Sequence, residues 1–118
     1  MCIRDSVDID PAPPLLFRYS ALTFNGHRIH YDHPYATQVE GYPGLVVHGP
    51  LQATLLLHLA ARERGGQVSD RFTFRSVSTL FDHETMRLNA DRPAGNSLAL
   101  WTARPGGPVA MQAEAHWA

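Results

Sequence analysis

The chain has 118 residues, of which 44% are hydrophobic and 18% are charged, and its net charge is −1 with the histidines neutral. This length suits one compact domain with an ordinary core, and the composition argues against wholesale disorder. Without a surplus of positive charge, non-specific nucleic-acid binding is not expected, and no apolar run approaches the ~20 residues that cross a bilayer. We therefore expect neither a nucleic acid nor a membrane as a partner.

The first six residues, MCIRDS, show no helix or strand pattern, and we predict an extension foreign to a single domain over residues 7–118. The one cysteine, Cys2, falls in this extension. A single cysteine excludes an internal disulfide and a thiolate-rich zinc site, and it fits a cytoplasmic location. Residues 7–14 alternate and then become proline-rich, as expected for a clipped first strand or a linker. Residues 15–22 favour one or two helical turns, with a strand as the alternative.

The clearest predicted helix covers residues 51–64, with Gly49 as N-cap and Pro50 at the first helical position, where a missing N–H costs nothing. It is apolar on nearly all sides, so we expect it to be central and buried, with His58 as a hydrogen-bonded core histidine. Four strands are predicted after Gly66, over residues 71–81, 84–91, 96–104 and 109–117. The predicted fold class is α+β, a curved antiparallel sheet wrapped around one long helix. Because such a sheet covers one side of the helix, we expect a partner domain or subunit on the other side.

The segment TFNGHRIHYDHPYA, residues 23–36, holds three of the seven histidines and is predicted to be a loop. A neutral imidazole with a pKa near ~6.5 suits proton transfer. In the same loop Asn25 can hold a water, Asp32 can orient a histidine and Arg28 can bind a carboxylate or phosphate. A solvated polar loop is the alternative. A metal site is not expected, because the H-x-x-H-x-x-H spacing gathers ligands on one face only in a helix, and this segment contains a glycine and a proline.

The segment GLVVHGPL, residues 44–51, places His48 and Gly49 directly before the buried helix. The unpaired N–H groups at the start of a helix, with its positive dipole end, can stabilise the negative charge that develops on a thioester carbonyl. The alternative is that Gly49 and Pro50 merely begin a helix. Tyr42 borders this turn and can line a channel.

Two motifs together, N-x-x-x-x-H-x-D over residues 25–32 and V-H-G-P-L over residues 47–51, resemble the MaoC-like hydratases and dehydratases. The resemblance covers residues 14 to about 117. It is nearest to the branch with the mesaconyl-CoA (methylfumaryl-CoA) hydratases and the type 2 hydroxyacyl-thioester dehydratases. It implies the hot-dog fold and a hydro-lyase that adds water to a 2-enoyl thioester or removes it from a 3-hydroxyacyl thioester. Coenzyme A or a carrier-protein pantetheine would be part of the substrate, with no other cofactor and no metal.

The resemblance also implies residue roles. His30 matches the catalytic histidine, Gly49 the residue whose N–H binds the thioester oxygen, and Asn25 stands where better-studied members carry an aspartate. Because an amide does not accept a proton as a carboxylate does, we expect His30 to be the sole base, with Asn25 fixing the water and Asp32, or His27, orienting the ring. The residues expected to contact the substrate are Arg28, His27, Asp32, His48 and Tyr42. Arg28 would favour a dicarboxylic acyl group.

Members of this branch resemble tandem chains in which one hot-dog half carries the motif. The present chain resembles the motif-bearing, C-terminal half, so we expect it to pair with a second hot-dog half or with itself as a homodimer. Two alternatives remain at this point. One is an acyl-CoA thioesterase, since hot-dog domains host both reactions. The other is a non-catalytic half that pairs with a catalytic partner, for which Asn25 in place of aspartate is the main support.

Overall fold

The computed structural model describes residues 5–118, in which one long helix lies against a five-stranded antiparallel sheet. The helices are α1 (Pro13–Leu22) and α2 (Gly49–Glu63), with a 3-10 turn (Arg28–His30) and a π-helical turn (Tyr35–Val39) between them. The strands are β1 (Asp5–Ile9), β2 (Arg71–Ser76), β3 (Met86–Ala90), β4 (Ser97–Ala103) and β5 (Val109–His116). Their order in the sheet is β1-β3-β4-β5-β2. The predicted α+β class, with four strands after the central helix, is confirmed.

Helix α2 packs across β3, β4 and β5 and supplies much of the core. It begins one residue earlier than predicted, with His48 as N-cap and Gly49 already helical. Its buried side chains are Leu51, Gln52, Ala53, Leu56, Leu59 and Ala60. Gln52 is polar, and its buried side-chain oxygen has a hydrogen-bond partner: Oε1 accepts a hydrogen bond of 2.7 Å from the hydroxyl of Thr102 on β4. His58 lies on the opposite, exposed side of α2, so the prediction that it is a core histidine is wrong.

The chain after β2 leaves the sheet earlier than predicted, and this positions the segment before α2. The amides of Val77 and Ser78 both donate to the carbonyl of Ala110, which turns the chain away from the edge of the sheet. Leu80 then accepts a hydrogen bond of 3.0 Å from the amide of Val47. The predicted strand over residues 71–81 is therefore split, and its second part supports the turn that leads into α2.

Strand β1 begins at Asp5, two residues before the predicted start of the domain. Asp5 pairs with Ala90 and Ser6 with Asn89 in the sheet, and the Asp5 carboxylate lies 2.7 Å from the guanidinium of Arg62 on α2. The expectation that residues 1–6 form no strand is therefore wrong for these two residues, which pair in the sheet, while the foreign origin of this extension stays a prediction. Cys2 and the rest of residues 1–4 lie outside the described residues.

The two edges of the sheet are formed by β1 and β2. Apolar side chains are exposed along and just after β2: Phe74 is 54% exposed and Val77 is 52% exposed. An open strand edge with apolar side chains is a surface on which another chain can pair. Within residues 5–118, neither helix combines the length and the apolar character that a membrane span requires.

The turn before α2 depends on a glycine at position 44. A Cβ atom there would lie 2.6 Å from Oδ1 of Asp82 and 2.9 Å from Nδ1 of His83. The same Oδ1 accepts a hydrogen bond of 2.9 Å from the amide of buried Leu45. We expect Gly44→Ala to displace Asp82 and to lower the free energy of unfolding by about 1–3 kcal/mol, the usual loss when a buried donor is left without its acceptor.

Urea unfolding would measure this difference, with Gly26→Ala as the control. A Cβ atom at Gly26 would meet no heavy atom within 4 Å. If the two variants are equally stable, the packing around Asp82 does not constrain the turn.

Candidate active site

His30 ends the 3-10 turn, and its ring reaches the segment before α2. Its Nδ1 lies 2.7 Å from the carbonyl oxygen of Val46, while the amide of Val46 donates to the carbonyl of Ile29 at 2.9 Å. Because a carbonyl only accepts, Nδ1 carries the proton and Nε2 keeps its lone pair. Nε2 makes no hydrogen bond within residues 5–118 and is not among their enclosed polar atoms without a partner. The ring is therefore held with its basic nitrogen open to a ligand or water.

The environment of His30 keeps it neutral. Its side chain is 8% exposed, and burial lowers the pKa of the imidazole below its usual 6.5. The hydrogen bond to Val46 opposes this shift, and the nearby ring of His27 adds to it. A neutral imidazole with a free Nε2 at pH 7 can act as a general base.

Arg28 and Asp32 bind each other instead of a histidine. Their charged groups lie 2.9 Å apart, and the guanidinium also stacks over the ring of Tyr35 at 4.2 Å from its centroid. The second carboxylate oxygen of Asp32 accepts a hydrogen bond from the amide of Tyr35. The Arg28 guanidinium is also the main reason why the pKa of Asp32 lies below its usual 3.8. The expectation that Asp32 or His27 orients the catalytic ring is wrong, because the partner of His30 is the main-chain carbonyl of Val46.

His48 is fully buried against His30. The two imidazole rings stack with centroids 3.8 Å apart and an angle of 19° between their planes. On another side, the ring of Tyr19 meets His48 edge-on at 4.8 Å, and the Ser20 hydroxyl lies 2.7 Å from its Nε2. Burial, and then the proximity of His30, lower the pKa of His48 to about 4. With an exposed fraction of 0%, His48 has no surface to offer a substrate, so its predicted contact with the substrate is wrong for this conformation.

Gly49 follows His48 and opens α2. Its N–H finds no acceptor within residues 5–118, as expected for the first turn of a helix, and the residue is only half-buried. Because His48 stacks on His30, this free amide and the free Nε2 belong to the same small region of the fold. The two predicted motifs therefore lie side by side, and the convergence of Nε2 of His30 and the Gly49 amide on one substrate stays a prediction.

Asn25 lies at the edge of a groove beside this region. Its Oδ1 accepts a hydrogen bond of 3.1 Å from the amide of His27, which leaves the Nδ2 donor without a partner within residues 5–118. The groove encloses about 320 Å³ and is lined by Phe17, Ser20, Ala21, Phe24, Asn25, Gly26 and Tyr31. Most of these side chains are apolar. Phe24 is 95% exposed and has a left-handed φ of 54°, a conformation that is unusual for a bulky residue.

Two further residues, His27 and Tyr42, were also predicted to contact the substrate. His27 is exposed, and its ring centroid lies 5.7 Å from that of His30. Tyr42 packs on the ring of Phe81 at 6.1 Å, and within residues 5–118 no ring contact or hydrogen bond joins it to His30. Within residues 5–118, no group of three or more histidine, cysteine, aspartate or glutamate side chains is arranged to hold a metal ion.

Comparison with known proteins assigns the family. The family model for hydroxyacyl-thioester dehydratase type 2 matches residues 3–82, more than half of the chain. The chain belongs to this family. The predicted resemblance to the type 2 branch is thereby confirmed.

Two curated relatives of this type 2 dehydratase-family chain are much longer than it is. Mesaconyl-C(4)-CoA hydratase from Chloroflexus aurantiacus is 54% identical over 103 residues, which are 87% of this chain and 36% of the relative. The mitochondrial hydroxyacyl-thioester dehydratase type 2 from Schizosaccharomyces pombe is 41% identical over 80 residues, 66% of this chain and 27% of the relative. The chain thus spans about a third, or less, of the length of these proteins.

A solved structure supports the fold of this family member. A MaoC-like dehydratase from Phytophthora capsici matches all of this chain and 43% of its own with a TM-score of 0.84, at 16% sequence identity. This likeness confirms the predicted hot-dog fold, with its curved antiparallel sheet and long central helix.

The structure adds site residues of this type 2 dehydratase-family chain that its sequence did not indicate. Ser20 and Tyr19 of α1 contact His48 across about thirty positions of the chain, and Val46 contributes only its main-chain carbonyl. A serine within the run LLFRYSAL carries no local signal of this contact. A carbonyl is present at every position, so no residue type could have pointed to Val46.

Proposed function

We propose that this chain is the catalytic half of a hydro-lyase that adds water across the double bond of a 2-enoyl thioester, or catalyses the reverse dehydration. The observation that carries the proposal is the free Nε2 of His30 beside the turn that presents the free amide of Gly49. A base and a main-chain donor in one region suit a reaction that moves a proton while charge develops on a carbonyl oxygen.

In the proposed reaction, the Nδ2 group of Asn25 donates a hydrogen bond to a water, and Nε2 of His30 takes one of its protons. The water oxygen then forms a bond to C3, and the electrons of the double bond move toward the thioester carbonyl. The imidazolium of His30 returns the proton to C2, which completes the addition of one water molecule. The reaction needs no electron transfer, and coenzyme A or a pantetheine arm travels with the substrate as its thiol part.

Gly49 would hold the thioester oxygen. Negative charge accumulates on this oxygen as water adds, and the positive end of the α2 dipole adds to the hydrogen bond from the Gly49 amide. A glycine also allows the substrate to approach the main chain closely. The free N–H and the half-buried position of Gly49 both support this role.

The groove beside Asn25 is the proposed binding place for the acyl group. Its walls are largely apolar, and Asn25, the proposed water-binding residue, lies at its edge. Arg28 does not line the groove, and its guanidinium is paired with Asp32. This weakens Arg28 as an argument for a dicarboxylic acyl group. The curated relative from Chloroflexus, named for mesaconyl-C(4)-CoA, keeps such a group among the first substrates to test.

We further propose that the chain works paired with a second hot-dog half or with a second copy of itself. The exposed apolar side chains Phe74 and Val77 at the β2 edge favour pairing there, and the half-buried Leu55 and Leu57 leave part of α2 uncovered. The cytoplasmic location stays a prediction, and the relative from Schizosaccharomyces pombe is a mitochondrial protein by name.

The test is an assay of the purified chain, alone and together with a second hot-dog half, on crotonyl-CoA and mesaconyl-C(4)-CoA. Hydration removes the absorbance of the conjugated thioester, and we expect this loss without release of a free thiol. Release of free coenzyme A with the double bond retained would instead select a thioesterase. A second half that is fully active without this chain would select the non-catalytic role.

The role of Gly49 can be tested by removing its N–H. We expect Gly49→Pro to lower kcat by about 10²–10³-fold, the usual effect of losing one donor to an oxyanion. Proline is compatible with the first turn of a helix, and His48 before it has the extended conformation (φ −59°, ψ 135°) that a following proline requires.

The matched variant is Gly49→Ala, which keeps the N–H. Its Cβ atom would lie 3.5 Å from Oγ of Ser76 and 3.8 Å from Cε of Met111, which are ordinary contacts. We expect a much smaller loss of kcat from alanine than from proline, with both variants folded by circular dichroism. Equal losses would mean that the N–H does not bind the thioester oxygen.

A further inference from the structure

We propose that His48 is a positioning residue for His30: its buried ring holds the imidazole of His30 in the single orientation that leaves Nε2 free. This inference rests on the proposed role of His30 as the base. It assigns to His48 a function other than the substrate contact that its place in the sequence predicts.

The stacking of the two rings is the first support. With a centroid separation of 3.8 Å and nearly parallel planes, the ring of His48 stacks on one face of His30. Together with the hydrogen bond from Nδ1 to Val46, this contact fixes both the tilt and the rotation of the His30 ring. The orientation of the base is thus set by one ring face and one hydrogen bond, and a carboxylate is not required.

The close packing around His48 is the second support. Its Nε2 and the Ser20 hydroxyl are 2.7 Å apart, Tyr19 packs edge-on against it, and none of its surface is exposed. Its Nδ1 is enclosed and has no partner within residues 5–118. A buried N–H without an acceptor is less favourable than a buried nitrogen lone pair without a donor. We therefore place the ring proton of His48 on Nε2, where it donates to the Ser20 hydroxyl oxygen. Ser20 of α1 therefore fixes His48, and His48 fixes His30.

The charge of His48 is compatible with this role. His30 becomes a cation each time it takes a proton from water, and a charged neighbour at stacking distance would oppose that step. Burial keeps His48 neutral at pH 7, since it holds the pKa of this ring at about 4. The titratable groups that face His30 are His27 from the loop and His48 from the start of α2, and only His27 is exposed.

The test compares His48→Ala, which removes the ring, with His48→Phe, which keeps a ring of similar shape. We expect the alanine variant to lose about 10²-fold in kcat with little change in KM, as a base displaced by about an ångström does. We expect the phenylalanine variant to recover most of this loss. The control is His58→Ala, an exposed histidine on the same helix.

Nitrogen NMR of the His30 ring, recorded without substrate, provides a readout that does not depend on activity. The wild-type ring should be the neutral tautomer protonated at Nδ1. In His48→Ala, the other tautomer should appear and the pKa of His30 should rise toward 6.5. If no thioester is hydrated by the wild-type protein, the proposed function fails while these spectra still decide the role of His48.

Several outcomes would overturn the inference. One is an unchanged His30 tautomer, pKa and kcat in a folded His48→Ala protein. Another is a loss confined to KM, which would return His48 to substrate binding. Should the alanine variant not fold, equal spectra for His30 in the wild type and in His48→Phe would support stacking, and a disordered His30 ring in that variant would refute it.

Discussion

Replacing His30 by alanine is expected to lower the kcat of thioester hydration by about 10²–10⁴-fold, the usual contribution of a positioned general base. The physical reason is that Nε2 of His30 is the free basic nitrogen at this site, while Asn25 has an amide that does not accept a proton at neutral pH. The measurement is the rate at which the absorbance of a 2-enoyl-CoA is lost.

Two matched variants sharpen this test. His30→Gln can still donate a hydrogen bond to the carbonyl of Val46, so it preserves the local structure but removes the base, and we expect it to be as inactive as alanine. His33→Ala removes an exposed histidine of the same loop and should remain active. Turnover by His30→Gln at the wild-type rate would discard His30 as the base, because no proton acceptor would remain at that position.

Acidification from pH 6.5 to about 4 is expected to lower the free energy of unfolding by roughly 3 kcal/mol through protonation of His48. This magnitude follows from the difference between its usual pKa of 6.5 and its folded pKa of about 4. The folded pKa of His48 is the lower one, so the unfolded chain takes up the proton first as the pH falls. Stability is therefore fully present above pH 6.5 and declines through this window. His30, whose pKa is also lowered, acts in the same direction.

One neighbour of His48 titrates in the same pH window. This neighbour is His30, which stacks on His48 and also loses its proton more readily in the folded chain, so its effect adds to that of His48. Asp32, whose pKa is held below its usual 3.8 by Arg28, loses its favourable charge only at lower pH.

Urea unfolding at a series of pH values, followed by the fluorescence of buried Trp101 and Trp117, would measure the effect. We expect His48→Phe to flatten the dependence on pH, because no proton can bind at that position in either state. His58→Phe, which changes an exposed residue of α2, should keep the wild-type slope. Parallel curves for the wild type and His48→Phe would show that His48 is not the buried group that titrates.

The elements with strong periodic patterns could be predicted well from the sequence. Apolar and polar residues alternate in β5, and the structure buries Met111, Ala113 and Ala115 while it exposes Gln112 and Glu114. A helix such as α2 and strands such as β5 are recognised because their residues repeat with the period of one element. The start of β1 was placed two residues late, because Asp5 and Ser6 beside a poorly patterned start carry no such repeat.

The contacts within the candidate site were predicted less completely than the helices and strands. The residue types and their two motifs indicated His30, Asn25 and Gly49, and the structure packs the His30 ring against Val46 and His48, in the segment just before Gly49. The partners of these residues were assigned wrongly where they were chosen by nearness in the chain. Asp32 is two positions from His30, yet it binds Arg28, whereas the group that holds His30 is sixteen positions away at Val46.

The sequence by itself therefore determined the class of fold, the order of its main elements and the two segments that carry the chemistry. Only the tertiary structure decided which groups are in contact. These contacts are the hydrogen bond from His30 to the Val46 carbonyl, the hydrogen bond between His48 and Ser20, and the stacking of His48 on His30. The physical reason is that periodicity and turn chemistry act between neighbours in the chain, whereas these contacts join residues that come together only when α1, the loop and α2 pack.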